Sequence, residues 1–146
     1  MTTKVLIIDD DPAITELIGL LLQSYGLQVI SSNDSLRGLE MARTETPDVI
    51  ILDLMMPGKS GWEICHEVRA FSRVPIAILS AIDDPAMIAS TLDAGADDYL
   101  IKPVPSSELM AHINNLTRRA NAEKGEAHTL LQKPGPYHFE QKPVQA

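Results

Sequence analysis

Apolar runs of strand length recur at Val5–Ile8, Leu27–Ile30, Val49–Leu52, Ile76–Leu79 and Tyr99–Ile101, and a helical pattern fills each interval between them. Runs that stay apolar at consecutive positions belong to strands covered on both faces. Such strands alternating with helices predict an α/β fold, a doubly wound five-stranded parallel sheet with five helices.

The helix limits are written in capping residues. Asp11 and Pro12 start the first helix, whose stripe of Ile14, Leu17, Ile18, Leu21, Leu22 and Tyr25 is expected to face the sheet before Gly26 stops it. A second helix follows Asp34-Ser35, with Leu36 and Leu39 expected inward and Gly38 weakening it. Ser60 and Glu63 stand at capping-box spacing ahead of Ile64, Val68 and Phe71. Asp84-Pro85 repeats the cap-then-proline signal, with Met87, Ile88 and Leu92 expected inside and Gly95 as the stop. The fifth helix begins near Ser106, turns Leu109, Ile113 and Leu116 inward, and is expected to end at Arg118-Arg119, where basic residues suit the helix dipole.

Beyond residue 120 the periodicity fades, and Gly125, Pro134, Gly135, Pro136 and Pro143 accumulate. The reading is therefore a folded domain over 1–120 and a flexible tail or linker over 121–146, too short for a second core.

Charge narrows the partners. A net charge of −8 and a pI near 4.8 disfavour direct grip on nucleic acid or an anionic membrane. No run is long enough to span a bilayer and three aspartates interrupt the first apolar stretch, so neither anchor nor signal peptide is expected and the cytoplasm is the default. Cys65 is the single cysteine and lies in an apolar helical pattern, which suits a buried thiol in a reducing compartment. Trp62 reads as a partly buried packing residue close enough to the strand ends to report on events there.

The chemistry lies at the strand ends. Ligands of open parallel sheets bind at the carboxyl edge, and that edge here carries Asp9 and Asp10, then Asp53, then Ser80, then Lys102. Three carboxylates crowded together repel unless a cation joins them, which predicts a hard divalent ion, Mg²⁺, with oxygen ligands. Lys102 adds positive charge, Ser80 a hydroxyl donor, and Asp53 a carboxylate able to form an aspartyl phosphate. Singly, each has a plainer role: Asp11 is read as a helix cap, Asp9 and Asp10 suit capping as well as metal binding, Ser80 suits backbone satisfaction, and Lys102 a surface. Their coincidence on one edge carries the reading.

These residues resemble the receiver domain of two-component response regulators, of the chemotaxis-regulator kind, from about Lys4 to Arg119. The resemblance rests on Val5-Leu6-Ile7-Ile8-Asp9-Asp10-Asp11, Asp53-Leu54-Met55-Met56-Pro57-Gly58 with Gly61, Ile78-Leu79-Ser80-Ala81, Gly95-Ala96-Asp97-Asp98-Tyr99 and Lys102-Pro103. It implies the flavodoxin-like strand order 2-1-3-4-5. It also implies that Asp53 accepts a phosphoryl group from a sensor histidine kinase or phosphotransfer protein. Asp10, Asp53 and the Met55 carbonyl would then ligate Mg²⁺, with Asp9 acting through water. Ser80 and Tyr99 take the switch positions, the Lys102–Pro103 bond is expected to be cis, and the face built from the fourth helix, fifth strand and fifth helix is the expected output surface. The state implied is a monomer or a phosphorylation-dependent homodimer.

Three features qualify the resemblance. Asp83 to Asp98 contains no Lys or Arg, against the basic fourth helix of members that dimerise there and carry a winged-helix DNA-binding domain. Val104 stands where Phe is frequent, with only local repacking expected. Met55 and Ile82, two residues beyond Asp53 and Ser80, are apolar and unable to position a water, which predicts a long-lived phosphoryl group. The alternatives are an aspartyl-phosphate-using phosphatase, a nucleotide or flavin module, and an unphosphorylated pseudo-receiver. Met55 replaces the second aspartate that the first needs, no Gly-rich phosphate loop follows a strand, and the acidic set with Lys102 speaks against the last.

Overall fold

The computed structural model describes residues 2–132, with side chains through Lys124. Five strands, β1 (Lys4–Ile8), β2 (Gln28–Ser32), β3 (Val49–Leu52), β4 (Ile76–Ser80) and β5 (Asp98–Ile101), form one sheet. All pair in parallel, in the order β2-β1-β3-β4-β5, as the resemblance implied. The helices are α1 (Pro12–Ser24), α2 (Ser35–Thr44), α3 (Gly61–Val68), α4 (Pro85–Asp93) and α5 (Ser106–Gln132).

Strand pleating divides the core in two. Val5 and Ile7 of β1 join Ile18 and Leu22 of α1 and Leu109, Ile113 and Leu116 of α5 on one side. Leu6 and Ile8 join Ile64, Cys65 and Val68 of α3 on the other. Each fully buried Leu or Ile contributes about 1.5–3 kcal/mol, so the two layers jointly hold the sheet.

All four expected caps form. Asp11, Asp34 and Asp84 accept from the backbone N–H of Ala13, Arg37 and Met87, and Ser60 and Glu63 complete a reciprocal capping box. Some expectations about the helices need correction. Leu17 and Tyr25 of the α1 region, Leu36 of α2, and Met87 and Leu92 of α4 are exposed rather than inward. In α4 the one fully buried residue is Thr91. Gly38 also meets a packing requirement, since a Cβ there would stand 2.7 Å from the Ile8 side chain. Finally, α5 does not end at Arg118-Arg119 but runs on to Gln132. The expected proline-rich tail beyond it lies outside the described residues.

Candidate functional site

The carboxyl edge of the sheet collects the predicted residues through its own hydrogen-bond ladder. The Asp53 N–H donates to the Ile8 carbonyl at 2.9 Å and the Asp9 N–H to the Ser32 carbonyl at 3.1 Å, so both acids continue the strand pairing. As a result one oxygen each of Asp9, Asp10 and Asp53 lies within 4.8 Å of the others. Asp9 and Asp53 are buried and Asp10 is exposed, giving a cluster with one open side. Three hard oxygen donors at that spacing fit a divalent cation.

Lys102, the residue that follows β5, closes the site. Its Nζ lies 3.2 Å from Asp9 Oδ2 and 3.9 Å from Asp53 Oδ1. One ammonium cannot neutralise three carboxylates. Burial, with the neighbouring Asp9, holds the Asp53 carboxyl above its usual range, against the opposing pull of Lys102 and the Met55 N–H. The Lys102–Pro103 peptide is cis.

The loop after Asp53 is held tightly to the start of α3. Gly61 donates its N–H to the Leu54 carbonyl at 2.8 Å. A Cβ at Gly61 would stand 2.3 Å from the Asp53 carbonyl oxygen, so only glycine allows this approach. Met55, next to the site, is exposed.

Ser80 ends β4 and is buried, with its Oγ accepting from the Ile82 N–H at 3.2 Å. The half-buried Tyr99 donates its hydroxyl to the Ile82 carbonyl at 2.7 Å. Ser80 and Tyr99 therefore grip the same β4–α4 segment from two sides. Trp62 reaches that region from α3, stacking on His66 with ring centroids 5.9 Å apart and donating its indole N–H to Ser90 in α4.

Cys65 takes no part. Burial pushes its thiol up to about 12, leaving no thiolate to react. A concavity of about 840 Å³, lined in part by Arg43, Pro47, Phe71 and Pro75, lies at the opposite end of the sheet from the acidic cluster.

The sequence marks Asp34-Ser35 only as a helix start and gives Asn33 no role. In the structure this corner also contacts the Asp9-Asp10 turn and the loop after Asp53. Asn33 lies 24 residues from Asp9 in sequence, so nothing local signalled the contact.

The family profile of the response regulator receiver domain matches residues 5–114. The chain belongs to that family. This receiver is 40% identical over 125 residues to the probable transcriptional regulator ycf27 of Guillardia theta, covering 86% of this chain and 49% of that protein. It is 36% identical over 126 residues to the DNA-binding response regulator MtrA of Mycolicibacterium smegmatis, covering 86% of this chain and 55% of that protein. The chain thus spans about half the length of these curated relatives. Among solved structures, a Francisella response-regulator receiver domain aligns with a TM-score of 0.77 at 33% identity, over 82% of this chain and 99% of that one. The chemotaxis protein CheY4 of Vibrio cholerae aligns with a TM-score of 0.74 at 29% identity, over 80% and 99%. The protein therefore contains the receiver domain of a two-component response regulator. Its α4 lacks Lys and Arg, although the MtrA relative is named DNA-binding.

Proposed function

We propose that Asp53 is the phospho-acceptor of a two-component switch. The observation that carries this reading is a buried carboxylate that shares its edge with two more acids and with Lys102. An Asp53 oxygen forms the new O–P bond as the P–N bond of a donor phosphohistidine, on a histidine kinase or phosphotransfer protein, breaks and its imidazole takes up a proton. Asp10, Asp53 and the Met55 carbonyl would hold Mg²⁺, with Asp9 acting through water; when bound, the ion supplies positive charge opposite the transferring oxygens. Lys102 balances part of the charge that remains.

Phosphorylation changes the partners of Ser80. Its hydroxyl turns from the Ile82 N–H to the phosphoryl group, loosening the segment that Tyr99 also holds. The receiver shifts toward a minor pre-existing state in which Tyr99 turns inward and the α4–β5–α5 face changes shape. The domain is proposed to act as a signalling module rather than a turnover enzyme, in the cytoplasm, as a monomer or a phosphorylation-dependent dimer. Among the described residues no helix is long and apolar enough to cross a membrane. For a longer protein containing this chain we propose an output of the class named for the MtrA relative, with no DNA contact by the acidic receiver itself.

Intact-mass measurement after incubation with acetyl phosphate and Mg²⁺ tests the reading. The wild type should gain one phosphoryl group and Asp53→Asn none. Equal labelling of the two would overturn the assignment.

A further inference from the structure

The acidic cluster is assembled from two separate loops, the Asp9-Asp10 turn after β1 and the loop after β3. Their relative position sets the distance between carboxylates, and a displacement of an ångström there would alter how a small, strongly hydrated cation is held. A third element touches both. Asn33, between β2 and α2, donates its side-chain amide to the Asp9 carbonyl at 2.8 Å and to Thr15 Oγ1 of α1 at 3.0 Å. The Asp9 carbonyl can only accept, so the amide group of Asn33 must face it. Thr15 is buried and donates onward to the Pro12 carbonyl at 3.1 Å, tying the contact to the first turn of α1.

Two residues on, Ser35 reaches the other loop. Its hydroxyl donates to the Pro57 carbonyl at 3.3 Å and accepts the Lys59 N–H at 3.1 Å, bridging the bend at Gly58. Ser35 is 3% exposed, and Gly58 has a positive φ of 83° that leaves room for the hydroxyl, where a Cβ would come within 3.1 Å of it. Between the two contacts the corner is itself fixed. Ser32 Oγ donates to the Asp34 carbonyl and accepts the Asp34 N–H, while Asp34 caps α2.

We propose that Asn33 and Ser35 are positioning residues that brace the two acidic loops against each other and thereby set the affinity of the site for Mg²⁺. The inference rests on the phospho-acceptor reading above. Neither side chain belongs to the acidic cluster that would hold the ion. Asn33 orients the peptide joining Asp9 to Asp10, and Ser35 holds the bend that follows the Met55 carbonyl. Losing one brace lets one loop drift, and losing both frees their relative motion, so the double variant loses more affinity than either single variant.

The experiment is an NMR titration of the full chain with MgCl₂, following the amides of Asp10 and Met55, on wild type, Asn33→Ala, Ser35→Ala and the double variant. Thr44→Ala is the control, because Thr44 is an exposed residue of the same α2 that hydrogen-bonds only to the Glu40 carbonyl of its own helix. Each single variant should raise the Mg²⁺ dissociation constant about 3–10-fold, while Thr44→Ala leaves it within about twofold. At saturating Mg²⁺ the initial rate of phosphoryl uptake from acetyl phosphate should return to within about threefold of wild type, the split expected when binding rather than chemistry is impaired. Ser35→Ala removes a single oxygen and carries the test alone if Asn33→Ala fails to fold. Folded variants with wild-type Mg²⁺ affinity would overturn the brace, and so would a control that weakens binding equally. If wild type itself neither binds Mg²⁺ nor takes up a phosphoryl group, the phospho-acceptor reading falls with it. If wild type does both and the variants match it, the brace alone falls.

Discussion

Replacing Asp53 by Asn should make the metal-free protein more stable at neutral pH. The substitution keeps the side-chain volume and an oxygen for the Met55 N–H, but removes one charge from a crowded cluster. Two unit charges 4.8 Å apart repel by about 3.5 kcal/mol at an effective dielectric constant of 20. Asp53 meets that repulsion from Asp9 and, screened by solvent, from the exposed Asp10. Lys102, 3.9 Å away, returns about 4 kcal/mol. Burial adds its own cost, and screening of Asp10 and of the partly exposed Lys102 trims both sides, so a net gain of about 1–3 kcal/mol is expected. The pH dependence follows from the raised Asp53 carboxyl. A protonated Asp53 carries no penalty, so wild type and variant should converge in acid. The deficit of wild type opens as pH rises past the ordinary carboxylate value of the unfolded chain and is complete above the raised folded-state value. Urea unfolding in EDTA from pH 4 to 8 measures the gap. Mg²⁺ should then reverse the order, adding about 2.7 kcal/mol to wild type at a hundred times the dissociation constant and little to the variant. A variant that is less stable in EDTA at pH 7.5, or a gap that widens toward acid, would refute the electrostatic account.

Gly61→Ala forces a Cβ against the Asp53 carbonyl and the Leu54 Cα, so a loss of about 2–3 kcal/mol in urea unfolding is expected, with reduced phosphoryl uptake. Trp62→Phe keeps an aromatic ring against His66 but removes the N–H donated to Ser90, and should cost about 0.5–1 kcal/mol and speed amide exchange in α4. Unchanged exchange there would show that the indole does not restrain α4. Met55→Gln places an amide able to position water beside the phosphoryl group and should shorten its lifetime about 3–10-fold in a radiolabel decay assay. An equal or longer lifetime would count against the role given to the apolar side chain.

Most of the site was legible because strand ends are legible. A run such as Val49–Leu52 must be buried on both sides, and whatever polar residue ends it must lie at an edge. Caps were equally plain, since Asp11, Asp34, Ser60 and Asp84 act within a few residues of themselves. Burial was harder to read. Periodicity marks an apolar stripe but not whether a neighbour covers it, and Leu17, Leu36, Met87 and Leu92 have none that does so fully. The end of α5 was misplaced because Asn121-Ala122-Glu123-Lys124 has no apolar stripe, although Ala, Glu and Lys favour helix by propensity alone. The contacts of Asn33 and Ser35 depend on which loops the topology brings beside them, and local sequence carries no trace of that.

The single buried residue of α4 gives the domain an uneven internal stability. The strands and the edge that carries the acidic cluster are fastened by paired backbone bonds and two hydrophobic layers, the features of the most protected part of a fold. The helix beside them is held by Thr91 and a few contacts to its neighbours, Trp62 among them, and lies at the low end of the local unfolding scale. A chemical event of modest energy at the rigid edge can therefore redistribute the conformations of the soft helix without endangering the fold that carries both.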